Sequence, residues 1–286
     1  MKTRLGPYVW SALIYIAALA LALYIAPANK PILEGSGVPA QSSPLWYIVV
    51  YFFGAVAVIA VVLFVIPVRF LKYLLRGLFA LMYGWGFLIV LMRTPDPTSY
   101  IVAAVAALAW LFFARVWLQD LLLFIALAAA ASVFGYLFSP LVFMIFMLII
   151  AVYDVLAVKF GFMIWMADKM SDTSALPAFI FPKKIKDVGA KLKAVQFNEL
   201  KKEKPEQREH TILGGGDIGF PLMLAVAVYF EYGMGSAILV GGCALVGIMA
   251  AFVIQQLWLK GKPMPALPPI TFFALIGYLI TRFWIG

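Results

Sequence analysis

The feature that most constrains this chain is a succession of long, nearly uncharged apolar runs, beginning at Tyr8 and continuing almost to the C-terminus. A bilayer hydrocarbon core of about 30 Å is crossed by about 20 helical residues. Nine segments meet that requirement, near 8–26, 45–66, 70–92, 100–116, 119–138, 141–159, 212–232, 236–259 and 267–284. Backbone groups in lipid must bond internally, which leaves helices and closed barrels as spanning structures. The runs are continuous rather than alternating, so they read as helices. Composition agrees: 65% of residues are hydrophobic, against about half in a soluble domain, and the mean hydropathy is +1.02. The expected fold is an all-α, polytopic membrane helical bundle of about nine transmembrane helices, in a multi-pass protein of the cell membrane. The first run opens with Lys2 and Arg4 and ends at Ala26-Pro27-Ala28, which imitates a signal peptide. It is long for one, so a span is expected.

The fourth and fifth spans are separated only by Arg115 to Asp120. A single helix from Tyr100 to Phe138 would reach about 58 Å and carry both charges into hydrocarbon, so a tight turn is expected. Charge distribution supports the division. With nine spans, nineteen of the 22 Lys and Arg fall on the side of the N-terminus, leaving Lys30, Arg93 and Arg282 opposite. By the positive-inside rule the N-terminus is cytoplasmic. The net charge of +9 is therefore a topology signal and not a sign of nucleic-acid binding.

Three parts follow: residues 1–159 with spans one to six, a basic cytoplasmic segment 160–211, and residues 212–286 with spans seven to nine. Within the middle part, 161–182 reads as an interfacial helix. Ile185, Val188, Leu192 and Val195 have the spacing of a helix lying on anionic lipid. The charged run from Asn198 to His210 lacks apolar anchors and reads as disordered.

The chain has one cysteine, Cys243, and one histidine, His210. An internal disulfide, a zinc–thiolate cluster and a zinc-protease helix are excluded, and no metal or cofactor is expected. An intramembrane Ser–His pair is not expected either, because His210 lies in a basic loop.

Of the thirteen acidic residues, two do not fit a loop or a span end. Asp154 lies five residues before Lys159, and Asp217 five residues after Ile212, so each is about 8 Å inside the cytoplasmic boundary. Burying a carboxylate there is costly. Consecutive helices tend to be neighbours, so the two can face each other. Close carboxylates cannot both ionise cheaply and hold one proton between them. Such a pair can activate a water and polarise a carbonyl, which is general acid–base hydrolysis without a metal. Intramembrane acids also line ion and proton pathways, so a channel or transporter is an alternative. Gly214, Gly215 and Gly216, just before Asp217, suggest unusual dihedrals or close backbone approach rather than a stiff helix start. At the same depth the prolines 263, 265, 268 and 269 favour an extended entry to span nine.

The motifs Tyr153-Asp154, Gly214-Gly215-Gly216-Asp217 and Pro265-Ala266-Leu267 occur on spans six, seven and nine. In that order they resemble the presenilin and signal peptide peptidase family of GxGD intramembrane aspartyl proteases, in a compact form similar to archaeal homologues. Prepilin peptidases share a GxGD motif but not this plan. The resemblance implies Asp154 and Asp217 as catalytic residues and Pro265, Ala266 and Leu267 as substrate-binding residues. Tyr153, Gly214 and Gly216 are motif neighbours. It implies a transmembrane helix of a membrane protein as substrate, surrounded by lipid. A cytoplasmic N-terminus points to type I substrates. An oligomer is compatible with the sequence. Gly241, Gly242 and Gly247 read as helix-packing positions, and Gln255 and Gln256 are tied to no chemistry.

Overall fold

The computed structural model describes residues 6–92, 96–162, 165–166, 169–170, 176–182, 189–192, 210–257 and 264–285. Among them are nine long helices: α1 (Gly6–Gly35), α2 (Leu45–Val65), α3 (Val68–Leu91), α4 (Pro97–Phe112), α5 (Val116–Leu137), α6 (Pro140–Lys159), α7 (Gly215–Tyr232), α8 (Met234–Leu257) and α9 (Leu267–Ile280). Seven of the nine are long and apolar enough to cross a membrane, α9 together with the π-helical turn Thr281–Ile285 that continues it. The other two are α4, with 16 residues, and α7, whose 18 residues include Asp217 and Glu231.

The boundaries depart from expectation in three informative places. First, α1 continues through Pro27 and Pro31 to Gly35. Ala22 and Ala26 are fully buried, and Asn29 Nδ2 donates to Ser132 Oγ on α5 at 3.0 Å. The Ala-Pro-Ala segment is thus part of the bundle's packing. Second, the chain breaks between α4 and α5 at Phe113 to Arg115. The freed backbone groups are re-paired: Val116 N–H donates to Ala190 and Leu192 N–H to Ala114, each at 3.1 Å. This puts the turn beside residues 189–192 of the segment between α6 and α7, the parity that two separate spans require. Third, residues 212–214 are not helical. Strand β2 (His210–Gly214) pairs antiparallel with β1 (Ala178–Pro182), with Ile180 opposite Ile212.

The hairpin also corrects the expectation of an interfacial helix over 161–182. Helical turns are described at Phe162, Trp165–Met166 and Lys169–Met170, but 178–182 is strand. Phe179, Ile180 and Phe181 are all buried, so neither strand face faces solvent and an alternating pattern could not arise. The surface helix expected around 185–195 and the charged run 198–209 fall almost entirely outside the described residues.

Helix α5 is the centre of the bundle, packed on α1, α3 and α7. Burial on several sides explains why it has no apolar stripe. Small residues let its neighbours approach: a Cβ on Gly135 would lie 2.7 Å from Val226 of α7, and one on Gly86 would lie 2.8 Å from Ala126 Cα. By contrast α2 is peripheral, with Ile48 and Leu63 its buried residues.

Candidate active site

Asp154 lies in the last turns of α6 and is 3% exposed. Helix α6 packs on both α7 and α9. Leu267, the first residue of α9, donates its N–H to Asp154 Oδ2 at 3.2 Å. The local sequence explains this. The first N–H groups of a helix have no intrahelical partner, and the helix dipole favours an anion there. Pro268 and Pro269 follow directly and carry no N–H, so the unpaired donors of this helix end are concentrated on Ala266 and Leu267.

The prolines were expected to hold the whole stretch 263–269 extended. Instead Met264 to Ala266 are irregular, the helix begins at Leu267, and Pro268 and Pro269 fill its first turn. Ala266 is already near helical, at φ −90° and ψ −26°. Fixed proline φ angles suit a first helical turn, which is the physical reason for the difference. Pro263 lies outside the described residues.

Asp217 is the third residue of α7, with Gly214 as the N-cap. Its carboxylate folds back toward the N-cap, with Oδ2 3.1 Å from where a Cβ on Gly214 would lie, the place an acidic side chain takes at this position of a capped helix. The Ala266–Leu267 segment joins the surroundings of the two acids. Asp217 opens onto a cavity of about 70 Å³, lined also by Ile212 and Leu213 of β2, Ala251 and Gln255 of α8, and Ala266. Ala266 therefore links the two acids: it lines the cavity of Asp217, and the next residue, Leu267, holds Asp154.

None of Gly214, Gly215 or Gly216 has a left-handed φ. Their role here is close approach. Gly215 donates its N–H to the Pro177 carbonyl at 2.8 Å, and a Cβ on it would lie 2.9 Å from that oxygen. A Cβ on Gly214 would lie 3.1 Å from Asp217 Oδ2. Tyr153 packs in an aromatic cluster. Its ring meets Phe53 edge-on at 5.4 Å, and Phe52 of the same helix meets Phe220 of α7 at 5.8 Å. Tyr153 thereby helps attach α2 beside the acids.

Gln255 was not connected to the site by sequence. The depth argument that selected Asp154 also selects it, since it lies five residues before Lys260 on a span descending to the same side. The β1–β2 hairpin had no comparable signal.

The family model described as signal-peptide peptidase, presenilin aspartyl protease matches residues 9–286. Two solved structures of a presenilin family intramembrane aspartate protease, in different space groups, share the fold. One has a TM-score of 0.64 at 19% identity, covering 96% of this chain and 98% of that chain. The other has a TM-score of 0.62 at 18% identity, with coverages of 94% and 96%. No curated protein sequence matches the chain.

Proposed function

Because the chain belongs to the signal-peptide peptidase and presenilin family of aspartyl proteases, we propose that Asp154 and Asp217 are the pair with which it hydrolyses peptide bonds inside transmembrane segments. As a member of that family it is an intramembrane aspartyl protease, and the channel or transporter alternative is not favoured. The observation that carries the residue assignment is that Ala266 lines the cavity onto which Asp217 opens while the next residue, Leu267, gives its N–H to Asp154. One carboxylate takes a proton from water as the water oxygen attacks the peptide carbonyl carbon. The partner, carrying the shared proton, hydrogen-bonds the carbonyl oxygen as it gains charge. When the C–N bond breaks, the proton passes to the leaving nitrogen, giving an amine and a new carboxylate.

Pro265, Ala266 and Leu267 engage the substrate from the α9 side. A substrate helix must unwind before water reaches its backbone, and its freed N–H and C=O groups are costly in lipid. The outer edge of β2 receives the unwound peptide as an added strand. Ile180 N–H donates to a side chain on α5, so the Ile180–Ile212 pair is one whose backbone groups turn outward. Those of Ile212 turn to the edge away from β1, and Ile212 lines the cavity beside Asp217. With the N-terminus cytoplasmic in the cell membrane, the substrates are type I segments.

The test is cleavage of a transmembrane peptide by the purified protein in lipid. Asp154→Asn and Asp217→Asn each lower the rate by roughly 10²–10⁴, the range for a positioned acid or base. Unchanged cleavage in either variant refutes the pair.

A further inference from the structure

Resting on the protease reading, we infer that Gln119 and Asp120, at the start of α5, are positioning residues that set the register of the β1–β2 hairpin and through it the place of Asp217. Asp120 Oδ1 accepts the Ile180 N–H of β1 at 3.0 Å. Its neighbour Gln119 donates from Nε2 to the carbonyl of Leu176, just before β1. Gln119 is completely buried, and its side-chain amide is held in one orientation because Oε1 accepts the indole N–H of buried Trp110 on α4 at 2.8 Å. Between Leu176 and Ile180, the Pro177 carbonyl accepts the N–H of Gly215, two residues before Asp217.

Three backbone groups within five residues are thus tied down, two to α5 and one to the first residue of the helix that carries Asp217. Buried amides and carboxylates of this kind are retained at a cost and fix geometry strongly when satisfied. The clamp also closes the outer edge of β1: the Ile180 N–H is taken by Asp120, and Pro182 has none. An incoming peptide is left the outer edge of β2 at Ile212, on the side of the cavity. Gln119 and Asp120 touch neither the cavity nor the acids, so they act through the hairpin and not on the reacting atoms.

The test compares the full chain in lipid vesicles with Asp120→Asn, Asp120→Leu and Gln119→Leu variants. Product masses from a transmembrane peptide, kcat, KM, and hydrogen exchange over 176–182 and 210–214 are measured. Asparagine keeps a carbonyl oxygen for Ile180, so D120N retains the wild-type cleavage position and a kcat within about threefold. D120L and Q119L lower kcat roughly tenfold or more, with KM changed by less than about threefold. They also spread cleavage over neighbouring bonds and speed exchange in both strands. The inference is overturned if D120N loses as much as D120L. It is equally overturned if D120L and Q119L leave the product pattern and strand exchange unchanged. If D120L does not fold, Q119L carries the same comparison. If the wild-type chain cleaves nothing, the protease reading fails, while the exchange measurement still decides whether the clamp holds the strands.

Discussion

Leu267 opens helix α9 by giving its N–H to the carboxylate of Asp154, 113 residues earlier in the chain. The bond matters because the two residues after Leu267 are prolines. Leu267→Pro deletes the donor and disfavours the near-helical backbone of Ala266 before it. A hydrogen bond to a charged group contributes about 1.5–3 kcal/mol, so kcat/KM is expected to fall by about ten- to a hundredfold. Leu267→Val keeps the N–H and loses far less. Equal losses in the two variants, measured as peptide cleavage, would show that the side chain and not the donor is what Asp154 needs.

Tyr153 precedes Asp154, yet its ring belongs to the contact with α2. Tyr153→Phe keeps the edge-on aromatic geometry, so cleavage within about threefold of wild type is expected. Tyr153→Ala removes the ring, and truncating a packed aromatic costs up to about 3–5 kcal/mol. A lower thermal midpoint and weaker cleavage should follow together. A large loss in the phenylalanine variant with unchanged stability would assign the hydroxyl a chemical role.

The helices, and the two acids that stand inside them, were legible in sequence for the same reason. In lipid a long apolar run has few alternatives, and a carboxylate inside one is expensive enough to be conspicuous. The β1–β2 hairpin was not legible. Its five-residue strands are short, Phe179 to Phe181 are buried throughout, and their partner residues lie some thirty positions away. Such pairing is set by tertiary contact rather than by local pattern. The clamp from Gln119 and Asp120 was hidden with it, since those residues read as a turn until their strand partners are placed. Of the two properties the triple glycine offers, the structure uses close approach, to Pro177 and Asp217, and not unusual dihedrals.

The glycines of α8 were read together as packing positions, but the structure separates them. A Cβ on Gly247 would lie 2.7 Å from Ile270 Cα of α9, whereas one on Gly242 meets nothing within 4 Å. Gly247→Ala must therefore push α8 from α9, the helix that begins at the site. Overpacking of this kind costs about 1–3 kcal/mol, so a lower thermal midpoint and reduced cleavage are expected. Gly242→Ala gains up to about 1 kcal/mol of helix propensity and leaves cleavage unchanged. If the two variants behaved alike in thermal unfolding, the α8–α9 contact would not have the closeness described.

The cavity beside Asp217 gives the last expectation. Ala251 of α8 lines it and is 7% exposed, while Val253, two residues on, is 53% exposed toward the outside of the bundle. Ala251→Leu adds an isopropyl group to a space of about 70 Å³. Filling an existing void need not displace its walls, so the thermal midpoint should hold or rise slightly. A peptide that must enter the same space is excluded, and kcat/KM is expected to fall roughly tenfold or more, mainly through KM. Val253→Leu, on the outward face of the same helix, serves as the comparison and should leave both quantities unchanged. Wild-type cleavage by the Ala251 variant would place the substrate's path elsewhere around the two acids.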